Sequence, residues 1–315
     1  MNQKQKQNFM KIHFFLSRYF YSLLGAILFL IPFSFHSQAA HPTSDFEKKI
    51  ATLESSANGR LGVCAVETAS NKSLCYRANE CFPLCSTFKV IDVAAILKKS
   101  MTDPGLLKKR IMYTKSDLVT TWNPITEQYV GEGMTIEELC AAAMSYSDNS
   151  AANFLANQLG GPSAVTAFAR SIGDAAFRLD HLEPDVNSAI PADPNDTTTP
   201  QAMTISLRKI MLGDLLSLNL RKQLQTWFKA NTTGNTCIRA GVPIGWTVGD
   251  KTGSGDYGTR NDIAVLWPTK GSPIVLSIYF TQFQKEAPKR DDVIAATTQI
   301  VMDELRKMQP FAHKS

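Results

Sequence analysis

Strand-like patterns lie near both ends of this chain and helical ones fill its middle, an order few folds accommodate. Leu61, Val63 and Ala65 alternate with smaller or polar residues. The polar turn Ala69–Lys72 and a return strand at Ser73–Tyr76 follow, which together signal a β-hairpin. Strands resume only after Trp246, at Thr247–Ser254, Ile263–Trp267 and Ile274–Phe280. Between these regions the apolar spacing is helical. From Pro83 onward Val90, Val93, Ala94 and Leu97 repeat at i, i+3, i+4 and i+7, and helices are predicted at Ile136–Tyr146, Ala151–Leu159, Ser163–Ser171 and Met203–Leu218. Further helices are predicted at Phe46–Leu53 and Val293–Met308, and the Pro/Asp/Thr-rich interval Leu182–Pro200 reads as a long ordered loop. The order predicts a discontinuous α/β domain enclosing an inserted helical one, and clefts between such lobes favour ligands.

Charge and composition narrow the function. Of the chain's formal charge of +5, most comes from Lys4, Lys6, Lys11 and Arg18 in a leader of 39 residues without an acid. The remainder is nearly neutral, with no basic patch of the kind nucleic acid needs. The leader continues into an apolar run from Tyr19 to Phe35, broken by Pro32, and ends on Ser37-Gln38-Ala39, an A-x-A-like cleavage site. The unbroken apolar stretch is about 12–14 residues, short of the ~18–20 that span a bilayer, so a cleaved export signal is expected instead of a permanent anchor. The six cysteines all lie beyond the leader, hence in an oxidising space. They allow many pairings, though Cys64 and Cys75 face each other across the predicted hairpin. Zinc binding by Cys75, Cys81 and Cys85 fits no common spacing. Of five histidines only His181 is interior, which leaves little room for a His-based triad or a multi-histidine metal site.

A serine hydrolase without histidine needs another base, and lysine three residues after a serine on a helix supplies one, because i and i+3 share a face. Two Ser-x-x-Lys matches occur: Ser86-Thr87-Phe88-Lys89 and Ser206-Leu207-Arg208-Lys209. The second lies in an amphipathic helix and reads as a solvated face. The first falls near a helix start, where free N–H groups and the dipole favour developing negative charge. Ser147-Asp148-Asn149 joins two predicted helices, offering a hydroxyl and an amide on a turn. Lys251-Thr252-Gly253 lies in a β-rich segment followed by Ser254-Gly255, and its glycines are expected to admit a ligand's backbone.

Together and in this order, these three elements match the motif set shared by class A serine β-lactamases and penicillin-binding proteins. From about Phe46 to Leu305 the chain resembles a class A serine β-lactamase, above all the branch that hydrolyses oxyimino-cephalosporins. Ile172-Gly173-Asp174, Phe177–Asp180 and Asp196–Pro200 add to the likeness, as does Glu183-Pro184-Asp185-Val186-Asn187 in the long loop. The resemblance implies a β-lactamase/DD-peptidase-like α/β fold of the α+β type. An antiparallel sheet flanked by helices would come from residues 40–82 and 229–315, and an all-α domain from 83–228 would carry an Ω-like loop at about 178–196.

The resemblance also implies roles. Ser86 would attack the strained amide, its proton going to Lys89 or, through water, to Glu183. The backbone N–H groups of Ser86 and Ser254 would form the oxyanion hole. Ser147 would pass a proton to the leaving nitrogen, with Lys251 supplying positive potential. Asn149 would bind the substrate's side-chain amide, and Trp122 would wall the cleft. Thr252, Gly253, Ser254 and Arg260 would hold the substrate's carboxylate end. Glu183, with Asn187, would activate the water that frees the acyl-enzyme. A penicillin-binding DD-peptidase shares the serine and lysines but stays trapped as the ester, as would an anchored β-lactam sensor; Glu183 argues against both. No metal or organic cofactor is implied, and a periplasmic or secreted monomer acting on penicillins and cephalosporins is expected.

The chain departs from the family pattern at His181, where relatives carry an arginine facing the acid at the loop's far end, here Asp196. Either the clasp is weaker and the loop more mobile, or the histidine bonds Asp196 well enough. Cys85 precedes the nucleophile as in carbapenem-hydrolysing relatives, but the matching bridge position is Gly255. Cys140 resembles one half of a disulfide common in other branches, whose partner position is Val93 here, and Cys237 has no expected role.

Overall fold

The computed structural model describes residues 44–308; the expected leader and cleavage site lie outside the described residues. Helix α1 (Asp45–Ser56) starts at Ser44, whose hydroxyl and Glu47 carboxylate cap each other's backbone amides. The predicted hairpin follows as β1 (Gly59–Glu67) and β2 (Ser73–Tyr76), with Cys64 opposite Cys75 and a disulfide joining them. After the short strand β3 (Phe82–Pro83) come α2 (Lys89–Ser100), β4 (Arg110–Ile111), β5 (Met134–Thr135), α3 (Ile136–Ser145), α4 (Asn149–Leu159), α5 (Pro162–Ser171) and β6 (Thr197–Thr198). Then come α6 (Pro200–Leu212), α7 (Leu218–Lys229), the single turn α8 (Ile238–Gly241), β7 (Thr247–Ser254), β8 (Arg260–Trp267), β9 (Ile274–Gln282) and α9 (Asp291–Met308).

The main sheet has the order β2-β1-β9-β8-β7 and is antiparallel throughout, so the two ends of the chain meet where β1 pairs with β9. Its central strands bury both faces, which explains why Ile263–Trp267 is apolar throughout and only Ser277 interrupts Ile274–Phe280. Ala264, Leu266, Leu276, Ile278 and Phe280 pack with α1 and α9 through Phe46, Ile50, Ile294, Val301 and Leu305. Ile263, Val265, Val275 and Tyr279 point the other way, into a core built with α2 to α7. This face matters for the site, since β7, the sheet's edge, runs beside the start of α2.

The helix expected over Met203–Leu218 ends at Leu212, and a separate helix, α7, follows it. Gly213 closes the first, and Ser217 caps the second, its hydroxyl accepting from Leu220 N. The second Ser-x-x-Lys is only half solvated. Lys209 is exposed, but Ser206 is 1% exposed and its hydroxyl donates to Asp174 Oδ2 at 2.7 Å, pinning α6 to the segment before the long loop.

Helix α2 also buries a carboxyl group with no partner. Both oxygens of Asp92 lack a hydrogen bond, and burial holds its pKa well above the ordinary value. Asp92→Leu, the nearest hydrocarbon shape, is expected to raise stability by about 1–3 kcal/mol at pH 7, read from urea unfolding. The parent's deficit arises above the unfolded value of about 3.9, where the unfolded chain ionises and the folded one does not. The gap between the two proteins should therefore narrow toward pH 4.

Candidate active site

The nucleophile candidate stands where the backbone turns sharply. Cys85 holds a left-handed φ of 43°, and a 3-10 turn from Cys85 to Phe88 runs directly into α2. First-turn N–H groups lack carbonyl partners, so the backbone at Ser86 faces forward with unspent donors. The three-residue spacing places Lys89 beside Ser86, and both are buried.

Glu183 reaches this pair from the long loop. Its Oε1 accepts from Ser86 Oγ at 2.9 Å and lies 2.9 Å from Lys89 Nζ, with neither charged side chain exposed. Asn187 Nδ2 donates to the other oxygen. Lys89 Nζ also donates to Asn149 Oδ1 at 2.7 Å and to the Ser147 carbonyl at 2.9 Å. Such a buried pair holds together because further hydrogen bonds satisfy the remaining donors. Ser147 Oγ lies between two amines, 3.4 Å from Lys89 Nζ and 2.9 Å from Lys251 Nζ.

The turn carrying Ser147 is left-handed, at φ 59°, as is Trp122 at φ 57°. Non-glycine residues rarely adopt this region, so something must hold them. Asp148 does so. It caps α4 at Ala151 N (2.9 Å) and accepts from Ile125 N and Thr126 N at 3.0 and 2.9 Å, while Asn149 N donates to Trp122 O at 3.0 Å. Helix α4 begins at Asn149, two residues earlier than the apolar spacing indicates.

In front of these groups lies a pocket of about 510 Å³ lined by Ser86, Trp122, Ser147, Asn149, Asn187, Thr232, Thr233, Thr252, Ser254, Arg260 and Lys289. The β7–β8 register sets Arg260 opposite Ser254, and Arg260 Nη1 donates to Ser254 Oγ at 2.8 Å. The Thr233 and Thr252 hydroxyls are 2.5 Å apart. Trp122 is 61% exposed, its Nε1 donating to Tyr146 O at 2.9 Å.

A family model described as the β-lactamase enzyme family matches residues 45–305. The chain belongs to that family. β-Lactamase OXY-1 of Klebsiella oxytoca is 54% identical over 82% of this chain and 89% of its own. β-Lactamase Toho-1 of Escherichia coli is 52% identical over 87% and 94%. The crystal structure of a β-lactamase from Desulfarculus baarsii DSM 2075 aligns with a TM-score of 0.81 at 49% identity, covering 82% of this chain and 97% of that one. The α/β fold with its antiparallel sheet is thus the β-lactamase fold, and the chain is a hydrolase of this class.

In this β-lactamase, burial and the neighbouring Lys89 charge push the Lys251 amine well below the usual lysine range. A Cβ on Gly253 would lie 3.0 Å from Leu84 O and 3.2 Å from Cys85 Cβ, so its glycine makes room for the nucleophile turn. A Cβ on Gly255 would sit 2.7 Å from Cys85 Sγ, and Cys85 is free and buried.

The neck of the long loop is held mainly by backbone amides. Asp196 Oδ1 accepts from Asp180 N and His181 N at 2.7 and 2.9 Å, and Asp180 Oδ2 accepts from Asp196 N at 3.0 Å. His181 Nδ1 adds a contact to Asp196 Oδ2 at 2.6 Å, and this hydrogen bond raises the imidazole's pKa. The charged contact is complete below an unfolded value near 6.5 and is lost as pH rises through the higher folded one. Asn153 was not anticipated. It brackets Glu183, its Nδ2 donating to Glu183 O at 2.8 Å and its Oδ1 accepting from Glu183 N at 2.9 Å. Cys81 and Cys140 are free thiols, and Cys237 sits behind the pocket wall, its Sγ accepting from Arg260 Nη2 at 3.0 Å.

Proposed function

We propose that this chain destroys β-lactams by a serine acyl-enzyme that Glu183 then releases. One observation carries the reading: a single carboxylate oxygen lies 2.9 Å from both the Ser86 hydroxyl and the Lys89 ammonium. A DD-peptidase or sensor that stops at the ester has no use for a carboxylate at that place.

Ser86 Oγ attacks the strained amide carbon as its proton passes to Glu183, the group it already bonds. The oxyanion is received by the N–H groups of Ser86 and Ser254, each worth about 3 kcal/mol in such sites. The proton returns through Lys89 to Ser147 and on to the departing nitrogen. Lys251 Nζ, donating to Ser147 Oγ at 2.9 Å, holds that hydroxyl in place for the transfer. Glu183 is then ionised again. With Asn187 holding its other oxygen, it takes a proton from water as the hydroxide adds to the ester carbonyl, and it gives that proton to Ser86 Oγ as the ester C–O bond breaks, which restores the free serine and the ionised Glu183. Thr252, Ser254 and Arg260 would position the substrate carboxylate, Asn149 the side-chain amide, and Trp122 would wall the cleft. Penicillins and cephalosporins are the proposed substrates. Export after cleavage near Ala39, action in the periplasm as a monomer and resistance to these drugs complete the reading. No helix among the described residues is long and apolar enough to cross a membrane.

Nitrocefin hydrolysis by the purified protein tests the proposal. Absorbance change far beyond one equivalent is expected, while a burst of one equivalent followed by silence would return the chain to the trapped-ester class.

A further inference from the structure

Arg260, the cation expected to meet the substrate carboxylate, is already engaged. It is 8% exposed, and its Nε donates to Asp291 Oδ1 at 2.6 Å. Nη1 donates to Ser254 Oγ at 2.8 Å, and Nη2 to Thr233 O at 3.2 Å and Cys237 Sγ at 3.0 Å. Only about one of its five N–H groups remains for a ligand. Asp291 is fixed in turn by Thr236 Oγ1 and by its place in the first turn of α9. The guanidinium charge is therefore matched before any substrate arrives.

Two residues before Asp291, Lys289 lines the same pocket, is exposed, and makes no ion pair or hydrogen bond among the described residues. Its cationic neighbours are all matched: Lys285 lies 3.8 Å from Asp256, Arg290 2.7 Å from Asp292, and Arg260 2.6 Å from Asp291.

We propose that Lys289 supplies the uncompensated positive charge that draws in and holds the β-lactam carboxylate. Arg260, its charge already matched by Asp291, then acts on the carboxylate mainly by orienting the Ser254 hydroxyl. The Thr233, Thr252 and Ser254 hydroxyls give the carboxylate its hydrogen bonds, and Lys289 gives the attraction. The inference rests on the β-lactamase reading above and names the group that recruits the substrate.

The test measures nitrocefin kinetics from about 20 to about 500 mM salt, a range that collapses the screening length around an exposed charge. Wild type, Lys289→Met and Lys289→Arg are compared. For Lys289→Met, KM at low salt should rise about threefold to fivefold with kcat preserved, and the curves should converge at high salt. Lys289→Arg should restore wild-type behaviour. A Lys289→Met protein with wild-type KM at low salt overturns the proposal, as does a loss of kcat that arginine fails to restore. The second-order rate of the first equivalent reports on Lys289 even if turnover stops there. Failure of the hydrolytic reading is thus separate from failure of this one.

Discussion

Glu183→Gln is expected to lower kcat for penicillins and cephalosporins about a thousandfold while leaving a burst of one equivalent. Glutamine keeps the shape and can still be held by Asn187 and Asn153, which bond the Glu183 side chain and backbone. It cannot take a proton from water, and general-base groups contribute about 10²–10⁴ to such steps. Acylation survives for a reason found in the same geometry. Once the carboxylate 2.9 Å from Lys89 is gone, a buried ammonium beside Lys251 has no counter-charge, which favours the free amine. That amine can accept the Ser86 proton. Ester formation therefore continues and ester hydrolysis does not. Stopped-flow absorbance with nitrocefin separates the two phases.

Lys89→Met should fail earlier in the cycle. The methionine stem fills similar space but removes the cation that Glu183, Asn149 and the Ser147 carbonyl all bind. A buried carboxylate without its partner tends to protonate, and a protonated Glu183 cannot accept from Ser86. The proton route from Ser86 toward Ser147 is cut as well. We expect kcat/KM to fall about a thousandfold with no resolvable burst. The contrast is the informative part: Glu183→Gln accumulates an ester, and Lys89→Met never reaches one. A full burst in Lys89→Met would show that the lysine is dispensable for attack.

The sequence disclosed those features that local chemistry dictates. Alternation and a polar turn predicted the β1–β2 hairpin, and Thr247–Ser254 is a strand end to end. The i, i+3 rule placed Ser86 and Lys89 together because one short helical start carries both. The gap at Gly213–Ser217 carried ordinary stop and start signals but was hidden by apolar residues running through Leu215, Leu216 and Leu218. What stayed illegible depends on which elements lie opposite one another. Asn153 is one turn beyond Asn149 on α4, and only the folded loop shows that it faces Glu183. The role of Gly253 likewise follows from how closely β7 passes Leu84. Lys289 lies in a charged stretch that reads as surface, and its isolation emerges only once Lys285, Arg260 and Arg290 are seen with their carboxylates.

Intact-protein mass spectrometry of the Glu183→Gln enzyme during exposure to a cephalosporin bears most directly on the cycle. The spectrum should show one covalent adduct per chain that persists for many wild-type turnover times and maps to Ser86. The parent enzyme should return to its unmodified mass as substrate runs out. If the Gln variant cleared its adduct as fast as the parent, water would be reaching the ester without Glu183, contradicting the role given to that carboxylate.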